Sequence, residues 1–193
     1  FSVEWLLSSQ GPSFPNNYVS IFLLGFAALA EFRNDEATVA FARAIELDSA
    51  DPLPHLGLGL ARISDGDLQA GRQEIEVAVG LGSNDALLRS YLGKAYYDER
   101  RDTLAGTEFE IAQALDPNDP TPWFYDAIRL QTVNRPVEAL HNYQKAIELN
   151  DNRAIYRSKL LLDSDLAARQ SSLARIYNNL GFQQRALVEG WQS

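Results

Sequence analysis

The sequence predicts an all-α solenoid of antiparallel helix pairs, and three observations carry that prediction. Residue types recur at a step of 34, helix starts are chemically marked, and no stretch alternates apolar and polar residues as a half-buried strand would. The step shows in several registers at once. Gly25, Gly59, Gly93 and Ala127 are all small, as are Ala37, Gly71, Ala105 and Ala139. Phe41, Ile75, Phe109 and Tyr143 are all large, and Ala44, Ala78, Ala112 and Ala146 are identical. Leu24, Leu58 and Leu92 also agree, with Asp126 in the fourth slot. Small residues at helix crossings let paired helices approach to about 8–10 Å, while large ones fill the space between neighbouring pairs.

The elements follow in order. Residues 1–17 form an N-terminal segment in which Gly11-Pro12 and Pro15 mark a turn. Four copies then run over 18–51, 52–85, 86–119 and 120–153. Copy one opens with the most apolar stretch, Val19 to Ala30 (VSIFLLGFAALA). At 12 residues it is shorter than the roughly 18–20 needed to span a bilayer. The first basic residue is Arg33, too late for the basic region of a secretory signal, so this stretch reads as a core helix. Asp51-Pro52 and Asp119-Pro120 place an N-cap before a proline at the first helical position of copies two and four. Asn34, Asp67 and Asp102 are expected just before the second helices of copies one to three, and Pro136 opens that of copy four.

Copy two holds six of the 12 glycines: Gly57, Gly59, Gly66, Gly71, Gly80 and Gly82. Interior glycine costs about 0.5–1 kcal/mol relative to alanine, so this copy is expected to be locally weak. It is either a flexible joint or a drifted repeat held by its neighbours. Residues 154–166 are an insertion between copies, and 167–193 a truncated fifth copy in which Leu173-Ala174, Tyr177, Gly181 and Ala186 fit the pattern.

Charge and composition narrow the function. There are 17 Lys+Arg against 26 Asp+Glu, a net charge of -9. Nucleic-acid binding is not expected, because phosphate neutralisation needs clustered basic residues. There is no Cys, which excludes disulfides, thiolate metal sites and Cys nucleophiles. The two histidines, His55 and His141, fall on different helices of non-adjacent copies, so a shared metal site is not expected. No HExxH, GxSxG, phosphate-loop or EF-hand pattern occurs. Asp116, Asn118 and Asp119 lie between Pro117 and Pro120 without the glycine and distal Glu of a calcium loop, and so form a turn. The expectation is a protein that is not an enzyme and carries no cofactor.

The recurrence resembles the tetratricopeptide repeat family, most clearly in copy four with Trp123, Ala127, Leu130, Ala139, Tyr143 and Ala146, and in copy three with Leu92-Gly93, Tyr96, Ala105, Phe109, Ala112 and Pro117. The resemblance implies a right-handed superhelical solenoid whose first helices line a concave binding groove. Its groove-facing slots fall on Phe22, Phe26 and Leu29 in copy one, Leu53, Leu56, Leu60 and Ile63 in copy two, and Lys94 and Tyr97 in copy three. Copy four supplies Phe124 and Ile128, and the fifth copy Arg175. This groove is apolar at its N-terminal end and polar towards the other. Either the N-terminal FSVEWLL segment covers the apolar part, or a partner helix or peptide docks there through apolar anchors.

Family members that clamp chaperone C-terminal carboxylates carry Lys and Asn where this chain has Phe22 and Phe26, Asn where it has Gly57, and Lys and Arg where it has Leu87 and Tyr91. A carboxylate clamp is therefore not expected. The stretch SSLARIYNNLGFQQRALVEGWQS also resembles segments of long bacterial proteins that join a FecR-like domain to repeat arrays, which favours the cell envelope over the cytoplasm.

The chain has no Met and opens on Phe1, while Leu187, Val188 and Trp191 lack a following repeat to pack on. An excised piece of a longer array is the expectation, with the cut end a candidate for self-association. The function expected is a protein–protein interaction scaffold that takes a peptide or helix in its groove. The alternatives are a structural spacer or assembly arm with a self-filled groove, and a regulatory domain of a larger enzyme.

Overall fold

The structure, a computed structural model, describes residues 18–149. The N-terminal segment, the 154–166 insertion and the fifth copy lie outside the described residues. Among the described residues there are eight helices and no strand. The chain divides into two compact units, Phe1–Glu99 and Arg100–Ser193. The first holds α1 (Tyr18–Ala30), α2 (Asn34–Leu47), α3 (Pro52–Ser64), α4 (Leu68–Leu81) and α5 (Ala86–Asp98). The second holds α6 (Asp102–Leu115), α7 (Pro120–Thr132) and α8 (Pro136–Glu148). Helix starts repeat at steps of 34: residues 18, 52, 86 and 120 open first helices, and 34, 68, 102 and 136 open second helices.

Side-chain chemistry sets those starts. Asp51, Asp85 and Asp119 each accept a hydrogen bond from the backbone N–H two residues on, at 2.9, 2.8 and 2.8 Å. Such a cap contributes about 1 kcal/mol. Before the second helices only one of the three expected residues behaves this way: Asp67 caps α4 through Ala70 N–H. Asn34 and Asp102 instead occupy the first helical position, and the preceding Arg33 and Arg101 make no capping bond. Arginine has no acceptor to offer an orphan N–H.

First helices end alike. Phe32, Gly66, Arg100 and Asn134, again 34 apart, adopt φ of 59°, 92°, 63° and 59°. The next N–H reaches back five residues, from Arg33 to Ala28 (2.9 Å), Asp67 to Arg62 (3.0 Å) and Arg135 to Leu130 (2.8 Å). This is a left-handed C-terminal cap, which glycine accepts freely and a β-carbon makes costlier by about 1–2 kcal/mol.

The recurring slots form the core. Phe41, Ile75 and Phe109 are wholly buried and Tyr143 is 1% exposed, while the four identical alanines are 0% exposed. Phe41 lies against the glycines of both neighbouring first helices: a Cβ on Gly25 would sit 2.7 Å from its ring, and one on Gly57 only 2.3 Å. Gly59 and Gly71 mark the closest crossing of α3 and α4, where a Cβ on either would fall within 2.7 Å of the other's carbonyl oxygen. Two of the six glycines of copy two thus serve this crossing, and Gly57 makes room for Phe41. In the second unit Ala127, Leu130, Ala139 and Tyr143 form the cluster joining α7 to α8.

Candidate interaction surface

In the first unit the first helices lie side by side, since α1 touches α3 and α3 touches α5. Their expected groove residues divide by burial. Phe26 and Leu29 are 6% exposed and Leu56 is wholly buried, so these three contribute to the core. The Phe26 ring packs edge-on against Phe41 at 4.8 Å between centroids. Phe22, Leu53, Leu60 and Ile63 are only half-buried, as are Lys94 and Tyr97 on α5. Phe22 rests edge-on against Phe26 at 5.0 Å and leaves part of its ring open. Lys94 Nζ pairs with Asp98 at 2.9 Å. In the second unit Phe124 and Ile128 are half-buried and pack against the α7–α8 cluster. Arg175 lies outside the described residues.

Polar groups buried between the helices form separate networks. Arg72 on α4 is 7% exposed and holds Glu76 at 2.6 Å and Glu99 at 2.9 Å. Burial alone would lower its guanidinium, but hydrogen bonds to Glu99 and Glu76 hold it above the ordinary arginine value. His55 Nδ1 lies 2.9 Å from Glu74, which also pairs with Arg62 at 3.0 Å. Tyr18 donates its hydroxyl to Asp51, and burial together with that carboxylate raises the phenol well above its usual value.

One cluster goes beyond the sequence reading. Arg129 Nε donates to Asp126 Oδ1 at 2.7 Å, and Asn142 Nδ2 donates to Asp126 Oδ2 at 2.8 Å, all three residues being buried. Burial pushes the Asp126 carboxyl above its usual range, outweighing the lowering effect of Arg129. Gly106 makes room, since a Cβ there would sit 2.9 Å from Arg129 Cζ. These groups line one wall of a pocket of about 360 Å³ that His141 also borders. The signal is present in the repeat: Asp126 interrupts the Leu24, Leu58, Leu92 series, and Arg129 follows Ala27, Ala61 and Ala95.

Among the described residues, no group of three or more His, Asp or Glu is placed to hold a metal ion. Nor is any helix among them long and apolar enough to cross a membrane.

No protein-family profile matches the chain, and no curated protein matches it. Solved structures do. A thermophilic TPR protein from Thermus thermophilus superposes with a TM-score of 0.74 at 17% identity, covering 90% of this chain and 88% of that one. A chain of the APC/C hetero-tetramer Cut9–Hcn1 gives 0.78 at 18% identity, covering 92% of this chain but only 34% of its own length. MamA from Desulfovibrio magneticus RS-1 gives 0.68 at 14% identity, covering 93% and 94%. At such identities the likeness speaks for the fold, and it agrees with helix starts at 34-residue steps: the chain has the paired-helix fold of tetratricopeptide repeat proteins.

Proposed function

We propose that this chain is a protein-interaction scaffold that binds an apolar helix or extended peptide across the first helices of its N-terminal unit. The observation that carries this reading is that Phe22, Leu53, Leu60 and Ile63 on α1 and α3 are apolar and only half-buried. Each is anchored at its base by the core and leaves apolar surface to cover, at about 25 cal/mol per Å² buried. Lys94, paired with Asp98, and Tyr97 on α5 add hydrogen-bonding capacity at one end, which would set the direction of a bound segment. The hetero-tetramer in which one structural neighbour was solved supports a role within protein assemblies.

A photoreactive side chain at position 22 or 60 tests the reading. Cross-links to a second protein are expected from both positions and not from position 42, on the exposed side of α2. Equal labelling from all three would defeat it. The apolar stretch FSVEWLL at the start of the sequence supports a second reading, in which the chain's own N-terminal segment fills the surface of a spacer. Deleting residues 1–9 separates the two: a self-filled surface gains binding of an apolar dye on deletion, and one reserved for a partner does not.

A further inference from the structure

The turn between α1 and α2 presents a feature that the corresponding turns lack. Its left-handed residue is Phe32, which is 83% exposed. The same slot holds Gly66, Arg100 and Asn134 in the other copies. Glycine or asparagine is favoured at such a position, and an exposed aromatic ring gains nothing there from burial. Phe32 borders a pocket of about 370 Å³ lined also by Arg33, Asn34, Asp35, Glu36 and Asp65.

The polar atoms around that pocket are unevenly committed. Arg33 is engaged by Glu31 at 2.9 Å and by Glu36. Among the described residues Asp35 has no ion pair or side-chain hydrogen bond. Asp65 receives a hydrogen bond from Asn34 Nδ2 at 2.7 Å and has no ion pair among the described residues. The same Nδ2 donates to Ser64 Oγ at 2.9 Å, and this tethering leaves Asn34 Oδ1 buried without a donor. Asp35, Glu36 and Asp65 line the pocket, and its one guanidinium, that of Arg33, is already held by Glu31 and Glu36. What remains uncommitted accepts hydrogen bonds and carries negative charge. The other copies lack this combination, with Gln69, Thr103 and Val137 in the slot of Asp35.

We propose that this turn is a receptor for a cationic side chain, the guanidinium of an arginine presented by a partner protein. The planar group stacks on the open face of Phe32 while its N–H groups reach Asp35 and Asp65. An exposed aromatic face attracts a cation through its quadrupole, and a guanidinium combines stacking with several donors in one plane. The charge complementarity is local, and the site stands apart from the α1–α3 surface proposed above, so either can fail without the other.

The test titrates the whole chain with the capped peptide acetyl-Gly-Arg-Gly-amide and follows backbone amide NMR shifts. Shifts are expected at residues 31–36 and 65, and not with the citrulline analogue, which keeps the shape and loses the charge. Phe32→Asn retains a residue suited to the left-handed turn, as Asn134 does, and should weaken binding by about two- to fivefold, the worth of one exposed cation–π contact. Its thermal midpoint should not fall. Asp35→Asn should weaken binding similarly, and the lysine analogue should bind more weakly than the arginine peptide. Unchanged binding in both variants, shifts spread evenly over the other acidic turns, or equal binding of citrulline would overturn the site. Lysine binding as tight as arginine would overturn the guanidinium assignment.

Discussion

Leu58 and Ala61 on α3 occupy the same repeat slots as Asp126 and Arg129 on α7, and all four are at least nine-tenths buried. In α3 the slots are filled by apolar side chains and the helix closes on α4 through Gly59 and Gly71. In α7 they hold an ion pair that Asn142 completes, and the close approach moves to Gly106, which yields its space to a guanidinium. A slot in this array therefore dictates volume and depth. It does not dictate polarity, provided that every buried polar atom is answered. Glycine serves both arrangements, admitting a backbone in one copy and a side chain in the other.

The largest effect is expected from breaking the polar version on one side only. Arg129→Ala leaves Asp126 buried with only Asn142 beside it, and should cost about 3–5 kcal/mol, read from urea unfolding. Asp126→Leu with Arg129→Ala restores the residues of copies one to three and should recover most of that loss, because a buried pair seldom outperforms an apolar replacement of similar volume. A double variant as unstable as the single one would mean that Arg129 acts through packing over Gly106 and not through its charge.

The apolar version is probed through its glycines. A Cβ at Gly59 would lie 2.6 Å from Ile75 Cγ1 and 2.7 Å from Gly71 O, so Gly59→Ala should destabilise by about 1–3 kcal/mol. A Cβ at Gly80 meets nothing within 4 Å, and Gly80→Ala should stabilise by about 0.5–1 kcal/mol. Thermal unfolding of the two variants decides the matter. If both stabilise, the α3–α4 crossing is looser than the geometry requires, which would favour the flexible-joint reading of copy two over the drifted repeat.

Much of this arrangement can be read before any coordinates. Phe41, Ile75, Phe109 and Tyr143 declare themselves because a large residue must recur wherever neighbouring pairs meet, and all four lie in the core. Asp51-Pro52 and Asp119-Pro120 are legible because capping and proline geometry act over two residues. Asn34 and Asp102 mislead because a polar residue at a helix's first turn and one at its cap look alike in sequence, while only the latter accepts the orphan N–H. The groove slots come from the resemblance to the repeat family, which the period carries onto successive copies. Which of them stay open cannot be read that way, since the burial of Phe26 depends on Phe41, 15 residues away on another helix. Phe32 escapes notice for the opposite reason: a lone aromatic residue in a turn has no period to announce it.

The pH dependence of stability discriminates most finely, because it asks whether burial or Arg129 governs Asp126. Burial raises the carboxyl above its ordinary value more than Arg129 and Asn142 lower it. A folded-state pKa above the unfolded one means that the native chain holds a proton the unfolded chain would release. Its contribution to stability is then fully present below the unfolded value and is lost as pH rises through the folded one. The stability of wild type relative to Asp126→Asn should accordingly decline as pH rises above the ordinary aspartate range, until the folded-state carboxyl has ionised. Differencing the two proteins removes the titration of carboxylates remote from Asp126. An opposite slope, with wild type gaining on the variant as pH rises, would place Arg129 in control. The cluster would then act as an ordinary ion pair, its charges worth more to each other than the water they gave up.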